Sequence, residues 1–190
     1  MTFIEIADRI FNHSNQVNFG TNENWQNDVF RATWFTNLNQ PRPNAPGLYW
    51  FLTDSVITNI ERPISLPNKG CDFGITTRNN LQTFSPTLLS GLNENGLKVV
   101  YNGHENNVMR RVRQHFSLSN HRTGALGLNH YNLSNKNWIL RYFTTNDIGI
   151  LGLDNSVQDV LLNLLNSKTG RTALENAWRI KNGWPILCKE

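Results

Sequence analysis

The sequence predicts an α+β fold, with a small central antiparallel or mixed β-sheet flanked by helices. Two apolar runs, at residues 47–53 and 97–101, have the composition of buried strands, and a third run, at 137–144, alternates polar and apolar residues. Segments with helical spacing of apolar residues stand before the first run and after the last. A chain of 190 residues with this order of elements is typical of one domain with appended segments.

The N-terminal part, residues 1–40, is expected to be a helical arm. Residues 3–11 carry apolar side chains at helical spacing, and a second helix is expected over residues 22–35. Residues 40–46 contain three prolines and predict an extended linker, because each proline biases its predecessor away from helix. Residues 46–190 then form the main domain.

The main domain contains an insertion between its first two core strands. The first strand, 47–53, is aromatic and apolar. Residues 54–95 are rich in glycine, proline and asparagine, which predicts short strands or hairpins, for example at 73–77. The second strand, 97–101, is expected to end at Gly103.

Helices and a third strand follow the second strand. A basic helix capped by Asn106 is expected to run to residue 116, and the third strand is expected at 137–144. A helix over 155–165 is expected to be broken by Gly170. The final helix is expected over 172–181.

One region of the chain, rather than its net charge, favours a polyanionic partner. The net charge is +4 and the isoelectric point is about 9.3, which alone says little about nucleic-acid binding. Within residues 96–141, however, Glu105 is the single acidic residue among several arginines and lysines. This basic region includes the predicted basic helix.

The composition argues against several other classes of protein. No apolar run approaches the ~18 residues of a membrane span, and the first residues lack the basic flank of a signal peptide, so we expect a cytoplasmic protein without membrane contact. Cys71 and Cys188 are too few for a disulfide framework and lack metal-ligand spacing. The sequence contains no glycine-rich phosphate loop and no Ser/His/Asp signature.

The most informative stretch begins at the end of the second strand. Tyr101 stands at that end, and the basic helix that follows carries Arg111 and, one turn later on the same face, His115. A tyrosine at the end of a strand, next to the start of a basic helix, is too polar an arrangement to be expected in a hydrophobic core. It suits the binding of a phosphate, because a guanidinium can bond two phosphate oxygens.

These residues resemble the GIY-YIG nuclease family. Gly47-Leu48-Tyr49 stands where that family has its first tripeptide, and Tyr101-Asn102-Gly103 stands where it has its second. Arg111 and His115 match the family's positions on the first helix. Glu175, on a late helix, is similar to the family's metal-binding glutamate. The resemblance implies a GIY-YIG-like α+β fold.

The resemblance covers residues 46–188 and departs from the family at three points. Residues 50–100 separate the two tyrosines, where the family has a short hairpin, so an insertion must be assumed. The central residue of the second tripeptide is Asn102 rather than an apolar residue. The asparagine that many members place after the glutamate is missing, since residue 187 is leucine, and Asn182 is the nearest stand-in.

The resemblance implies phosphodiester hydrolysis with one Mg²⁺, for which Mn²⁺ can substitute. Tyr49 would be the general base, with His115 as the neighbour that takes or shares its proton, because a phenol of pKa about 10 is a poor base alone. Arg111 would clamp the phosphate, and Glu175 would supply a hard oxygen ligand to the metal. The further candidates for contact with the phosphate or the attacking water are Tyr101 and His104.

A stand-alone domain with an insertion and an N-terminal arm looks most like a type II restriction endonuclease. That implies a bacterial cytoplasmic enzyme that cuts double-stranded DNA at a fixed sequence, acts as a homodimer on two-fold symmetric sites and accompanies a cognate DNA methyltransferase. The insertion at 54–95 and the loop at 117–135 would reach the grooves. The candidates for base or phosphate contact are Arg78, Arg110, Arg113, Arg122 and Lys136.

Other interpretations of the same residues stay open. The two tyrosines and His115 also fit core packing, Arg111 fits a solvated helix charge, and Glu175 fits a capping box with Thr172. The alternative functions are a structure-specific or repair-type nuclease of the same family, a non-catalytic DNA-binding module, and a small domain whose basic helix binds RNA or protein.

Overall fold

The computed structural model describes residues 1–20, 27, 41, 43–91, 93–94, 96–118, 124–133 and 136–188. Within these residues, five strands form one sheet in the order β1-β5-β2-β4-β3, and neighbouring strands are antiparallel. The strands are β1 (Asn15–Asn18), β2 (Gly47–Thr53), β3 (Asn93–Glu94), β4 (Leu97–Glu105) and β5 (Trp138–Thr144). The expected α+β class with an antiparallel sheet is confirmed.

Helices cover both faces of this sheet. The α-helices are α1 (Phe3–Asn12), α2 (Phe73–Thr83), α3 (Val108–Ser117), α4 (Asn155–Asn166) and α5 (Lys168–Asn182). Short 3₁₀ helices lie at Ile57–Asn59, Pro86–Leu88, Leu128–His130 and Thr145–Leu151. In the described part of the chain, every helix is too short or too polar to cross a membrane.

Strand β2 is buried along its whole length, because each of its faces meets a different hydrophobic cluster. Tyr49 and Phe51 point to the face that packs against α2 and α3. Leu48 and Trp50 point to the opposite face, which packs against α1, α4 and α5. The alternation of side chains along a strand therefore explains why the run is apolar throughout.

Residues 73–77, expected to form a strand, lie in α2 instead. The helix begins there because the side chain of Asp72 accepts a hydrogen bond from the backbone N–H of Ile75 at 2.9 Å. The side-chain amide of Asn80 then donates to two carbonyls of the C-terminal segment, residues 185–188. The cap and these long-range bonds outweigh the weak strand signal of the threonines.

The break between α4 and α5 lies at Ser167 rather than at Gly170. The hydroxyl of Ser167 caps α5 by accepting from the N–H of Gly170 at 2.9 Å. A Cβ on residue 170 would lie 2.3 Å from the carbonyl oxygen of Leu164, so the glycine lets the two helices meet closely. Because Thr172 lies inside α5, the capping box with Glu175 is not formed.

The N-terminal segment is part of the main domain instead of a separate helical arm. Helix α1 packs against α5, and β1 adds a strand to the edge of the sheet by pairing with β5. The expected helix over 22–35 falls, apart from residue 27, outside the described residues. The basic helix α3 forms as expected, but its cap is Asn107 rather than Asn106.

Candidate active site

The two tripeptides lie side by side in the sheet. Strand β4 continues through Gly103, where the sequence suggested an end, and residue 103 is paired with Tyr49 of β2. A Cβ on residue 103 would lie 2.4 Å from the phenol oxygen of Tyr49. The glycine of the second tripeptide therefore makes room for the tyrosine of the first.

The hydroxyl of Tyr49 is held by His115 of α3. The phenol oxygen lies 2.8 Å from Nε2 of His115, and the backbone N–H of Leu126 donates to Nδ1 at 3.3 Å. Because a backbone N–H can only donate, Nδ1 is unprotonated and the proton of the neutral ring is on Nε2. His115 therefore donates to Tyr49, and the hydrogen of the phenol is free to meet a different acceptor.

Burial keeps both groups neutral. Desolvation raises the pKa of Tyr49 well above its usual value and lowers the pKa of His115 well below its own. The nearby charge of Arg111 lowers the pKa of His115 further and opposes the rise at Tyr49. His115 is therefore placed to stabilise a phenolate by donating a hydrogen bond to it. Of the two roles that the sequence suggested, taking or sharing the phenol's proton, this geometry does not fit the first.

Arg111 and Tyr101 converge on one carbonyl oxygen. The guanidinium of Arg111 donates to the carbonyl of Gly124 at 3.2 Å, and the hydroxyl of Tyr101 donates to the same carbonyl at 3.4 Å. A second bond, 3.2 Å long, joins Arg111 to the side-chain oxygen of Gln114. Arg111 is half-buried, and these two bonds fix the orientation of its guanidinium beside the two phenols.

Glu175 reaches the same place from α5. It is 8% exposed, and its Oε1 accepts a hydrogen bond from Arg179. Its Oε2 lies 3.6 Å from Nε2 of His104, which is longer than a hydrogen bond. Burial raises the pKa of Glu175, and the adjacent Arg179 opposes that rise.

His104 is an uncharged member of the site at neutral pH. Burial, with a smaller contribution from the charge of Arg171, lowers the pKa of His104 to about 4. Its Nε2 lies 3.0 Å from the hydroxyl of Thr172, which itself donates to the carbonyl of Lys168. Nε2–H therefore donates to Thr172, and His104 brings no positive charge to a phosphate.

These side chains line one open cleft with a volume of about 220 Å³. The expected residues on its walls are Tyr49, Tyr101, His104, Arg111 and Glu175, and His115 stands directly behind Tyr49. Among the other lining residues, sequence reasoning assigned no role in the site to Lys69, Asn102, Arg179 or Cys188. Arg179 follows Glu175 by one helical turn, and that spacing was the available signal. Nothing in the sequence marks Lys69, which comes from the insertion.

Four of the expected DNA-contacting cations are described, and these four lie outside the cleft. Arg78 on α2 and Arg110 on α3 are exposed, and Arg113 and Lys136 are half-exposed. Arg122 lies outside the described residues. The expected stand-in for the late asparagine, Asn182, donates to the carbonyl of Trp178 within α5 and does not line the cleft.

The polar cleft offers limited ligands to a divalent cation. Within the described ranges, no three His, Cys, Asp or Glu side chains are grouped to hold a metal. Among the residues that the structure describes, Glu175 is the one that brings a carboxylate to the cleft wall. One carboxylate in a polar cleft fits Mg²⁺, which binds through one or two carboxylates and keeps much of its water shell.

No protein-family model matches the sequence, and comparisons with curated proteins and with solved structures give no significant match. The geometry of the cleft therefore carries the functional argument.

Proposed function

We propose that the chain is a Mg²⁺-dependent endodeoxyribonuclease of the GIY-YIG type, and among these a type II restriction endonuclease. One observation carries the proposal. Two phenols, a guanidinium and a carboxylate come from four separate elements, β2, β4, α3 and α5, and meet on the walls of one polar cleft. Core packing alone gives no reason for a buried carboxylate and a half-buried guanidinium to face the same opening.

Arg111 is the group that binds the scissile phosphate. Its bonds to Gly124 and Gln114 use part of its donor set and fix the plane of the guanidinium. The remaining donors can bond two phosphate oxygens and stabilise the charge that grows on them as the attacking oxygen approaches.

Tyr49 is the group that takes the proton of the attacking water. Its oxygen accepts from Nε2–H of His115 and lies near the positive charge of Arg111, and both favour the phenolate. Burial and the carboxylate of Glu175 favour the neutral phenol. The balance between these influences sets the fraction of active base.

Glu175 is the residue that would hold Mg²⁺ (or Mn²⁺), through the oxygen that Arg179 leaves free. When bound, such a cation supplies charge neutralisation at the cleft and at the departing oxygen. In the hydrolysis itself, the water oxygen bonds to phosphorus and its proton passes to the phenolate oxygen of Tyr49. The opposite P–O bond breaks, its electron pair stays on the departing oxygen, and that oxygen then takes a proton from solvent. Tyr101, bonded to Gly124, lies beside this line and orients the phosphate.

The insertion, as well as the cleft, supports the proposal that the enzyme is a restriction endonuclease. Lys69, from residues 54–95, stands at the rim of the cleft, so the insertion reaches the place where DNA would lie. We further propose a homodimer on a two-fold symmetric site, with Arg78, Arg110, Arg113, Arg122 and Lys136 on the DNA, and a cognate methyltransferase as genetic partner.

The test is digestion of a mixed-sequence plasmid with Mg²⁺, followed by sequencing of the ends. We expect cleavage at one fixed sequence, none with EDTA, and none by the Glu175→Gln variant, which should still bind DNA in a mobility-shift assay. Cleavage of flaps or junctions alone would reject the restriction class and leave the nuclease. Binding without any cleavage would make the chain a DNA-binding module.

A further inference from the structure

Arg179 is a charged side chain of the cleft that three separate contacts hold in place. Its guanidinium donates to Oε1 of Glu175, one turn earlier on α5, and its Nε donates to Oδ1 of Asn102 at 3.0 Å. The same guanidinium lies 4.1 Å from the centroid of the Trp184 ring. Only 14% of the side chain is exposed. Contacts from β4, from α5 and from Trp184 thus define a single position for this charge.

The hydrogen bond from Arg179 explains why the central residue of the second tripeptide, Asn102, is polar. It is 2% exposed, and its Oδ1 accepts from both Arg179 and the thiol of Cys188. A largely buried guanidinium is costly unless its donors are satisfied. An apolar residue at 102 would leave Nε of Arg179 without this acceptor.

The anchor makes the two carboxylate oxygens of Glu175 unequal. Oε1 is engaged by Arg179, whereas Oε2 stands 3.6 Å from His104 and is available to a ligand. Without Arg179 the carboxylate could rotate and offer both oxygens to the cleft. A residue that fixes which ligand atom a metal meets is typical of the shell around metal ligands.

We propose that Arg179, held by Asn102 and Trp184, is a positioning residue that restricts Glu175 to one-oxygen binding of the divalent cation. This inference rests on the proposed function, because it assumes that Glu175 holds the metal. Arg179 then has two opposing effects, one on metal affinity and one on turnover. Its charge weakens metal binding by repulsion, and its hydrogen bond places the cation correctly for turnover.

The experiment compares Arg179→Met with the wild type by two readouts. Binding of Mn²⁺ alone, without DNA, is followed by electron paramagnetic resonance of the free ion, with Glu175→Gln defining the signal from other sites. Turnover is measured on cleaved DNA at saturating Mg²⁺. In Arg179→Met we expect Mn²⁺ affinity at this site to rise roughly 3- to 10-fold. Turnover should fall about 10- to 100-fold.

Two further variants separate positioning from charge. Asn102→Ala keeps the charge of Arg179 but removes its anchor, so turnover should fall while Mn²⁺ affinity stays within about twofold of the wild type. The matched control is Lys181→Met, which removes a cation of α5 that pairs with Asp8 at 2.8 Å, outside the cleft. It should change neither readout.

Each result has one interpretation. If Arg179→Met lowers Mn²⁺ affinity together with turnover, or leaves both unchanged, Arg179 is structural and the inference is rejected while the nuclease stands. If the wild type and Glu175→Gln bind Mn²⁺ equally and neither cuts DNA, the proposed function itself fails. Circular dichroism and thermal melting of every variant identify a loss of folding.

Discussion

Tyr49 and Gly103 are paired across β2 and β4, and the phenol of Tyr49 occupies the space that a side chain at residue 103 would need. This pairing links the two tripeptides physically. The first supplies a hydroxyl at the cleft, and the second has a glycine whose missing side chain leaves room for the tyrosine ring. The position of that hydroxyl is therefore set by the sheet register, which is among the more rigid features of a fold.

Gly103→Ala should impair catalysis more than it impairs folding. Its methyl group would lie 2.4 Å from the Tyr49 oxygen, so the ring must move away from His115. We expect a loss of about 1–3 kcal/mol in the free energy of unfolding and a fall in cleavage rate of at least about 100-fold. Urea unfolding and single-turnover cleavage measure the two effects. Gly149→Ala, where a Cβ meets no atom within 4 Å, is the control and should change neither.

His115 should make the protein less stable as the pH falls. Its pKa in the folded protein lies well below that of the unfolded chain, so below about pH 6.5 the unfolded chain binds more protons. The free energy of unfolding should therefore decrease with falling pH, by up to about 1.4 kcal/mol per pH unit for this ring. His104, whose pKa is lowered to about 4, contributes in the same direction.

The measurement is urea unfolding of the wild type and of His115→Gln between about pH 5 and 7. The variant should be less stable at neutral pH and should show a shallower pH dependence. His13→Gln, which removes a histidine with an exposed ring, is the comparison. Equal changes of slope in the two variants would contradict the assignment to His115.

The sequence predicted the elements whose signals are strong and local. Strands β2 and β5 and helices α1 and α3 appear within a residue or two of the expected bounds, because apolar periodicity is set by burial on a face. The α2 helix was missed because its start depends on one cap, Asp72, and its packing on bonds from Asn80 to the C-terminal segment. Strand β1, a short polar segment, is defined by its pairing with β5 alone.

Some members of the candidate site were predictable from the sequence, but the contacts between its residues were not. The resemblance singled out Tyr49, Tyr101, Arg111 and Glu175, and the structure brings all four to one cleft. The protonation of His115 was not predictable, because it depends on a backbone N–H from a different segment of the chain. The pairing of Asn102 with Arg179 joins β4 to α5, and no local pattern encodes such a contact.

Cleavage should become faster as the pH rises. Burial raises the pKa of Tyr49 well above its ordinary value, so the phenolate is a minor species at neutral pH. Below that pKa the phenolate fraction grows tenfold per pH unit, and the single-turnover rate should grow by about the same factor. Rates measured from about pH 6.5 to 8.5 at saturating Mg²⁺ test this. A flat profile in that range would mean that Tyr49 is not the base, and Tyr49→Phe should be inactive throughout.

Arg111→Lys should retain DNA binding and lose turnover. The lysine keeps the positive charge, but it cannot bond both Gly124 and Gln114 while still offering two donors to a phosphate. We expect the salt dependence of DNA affinity to stay unchanged, and the single-turnover rate to fall about 100- to 1,000-fold. Mobility shifts at several salt concentrations and cleavage at saturating protein measure the two quantities.

The control for this substitution is Arg9→Lys, which alters a guanidinium on α1 that donates to the carbonyl of Leu151, outside the cleft. Its cleavage rate should equal that of the wild type. If Arg111→Lys also cleaves at the wild-type rate, the geometry of the guanidinium is irrelevant and Arg111 supplies charge alone. If its DNA affinity falls while its rate at saturating protein stays at the wild-type value, Arg111 binds the ground state and the transition state equally, and the proposed role in the chemical step is wrong.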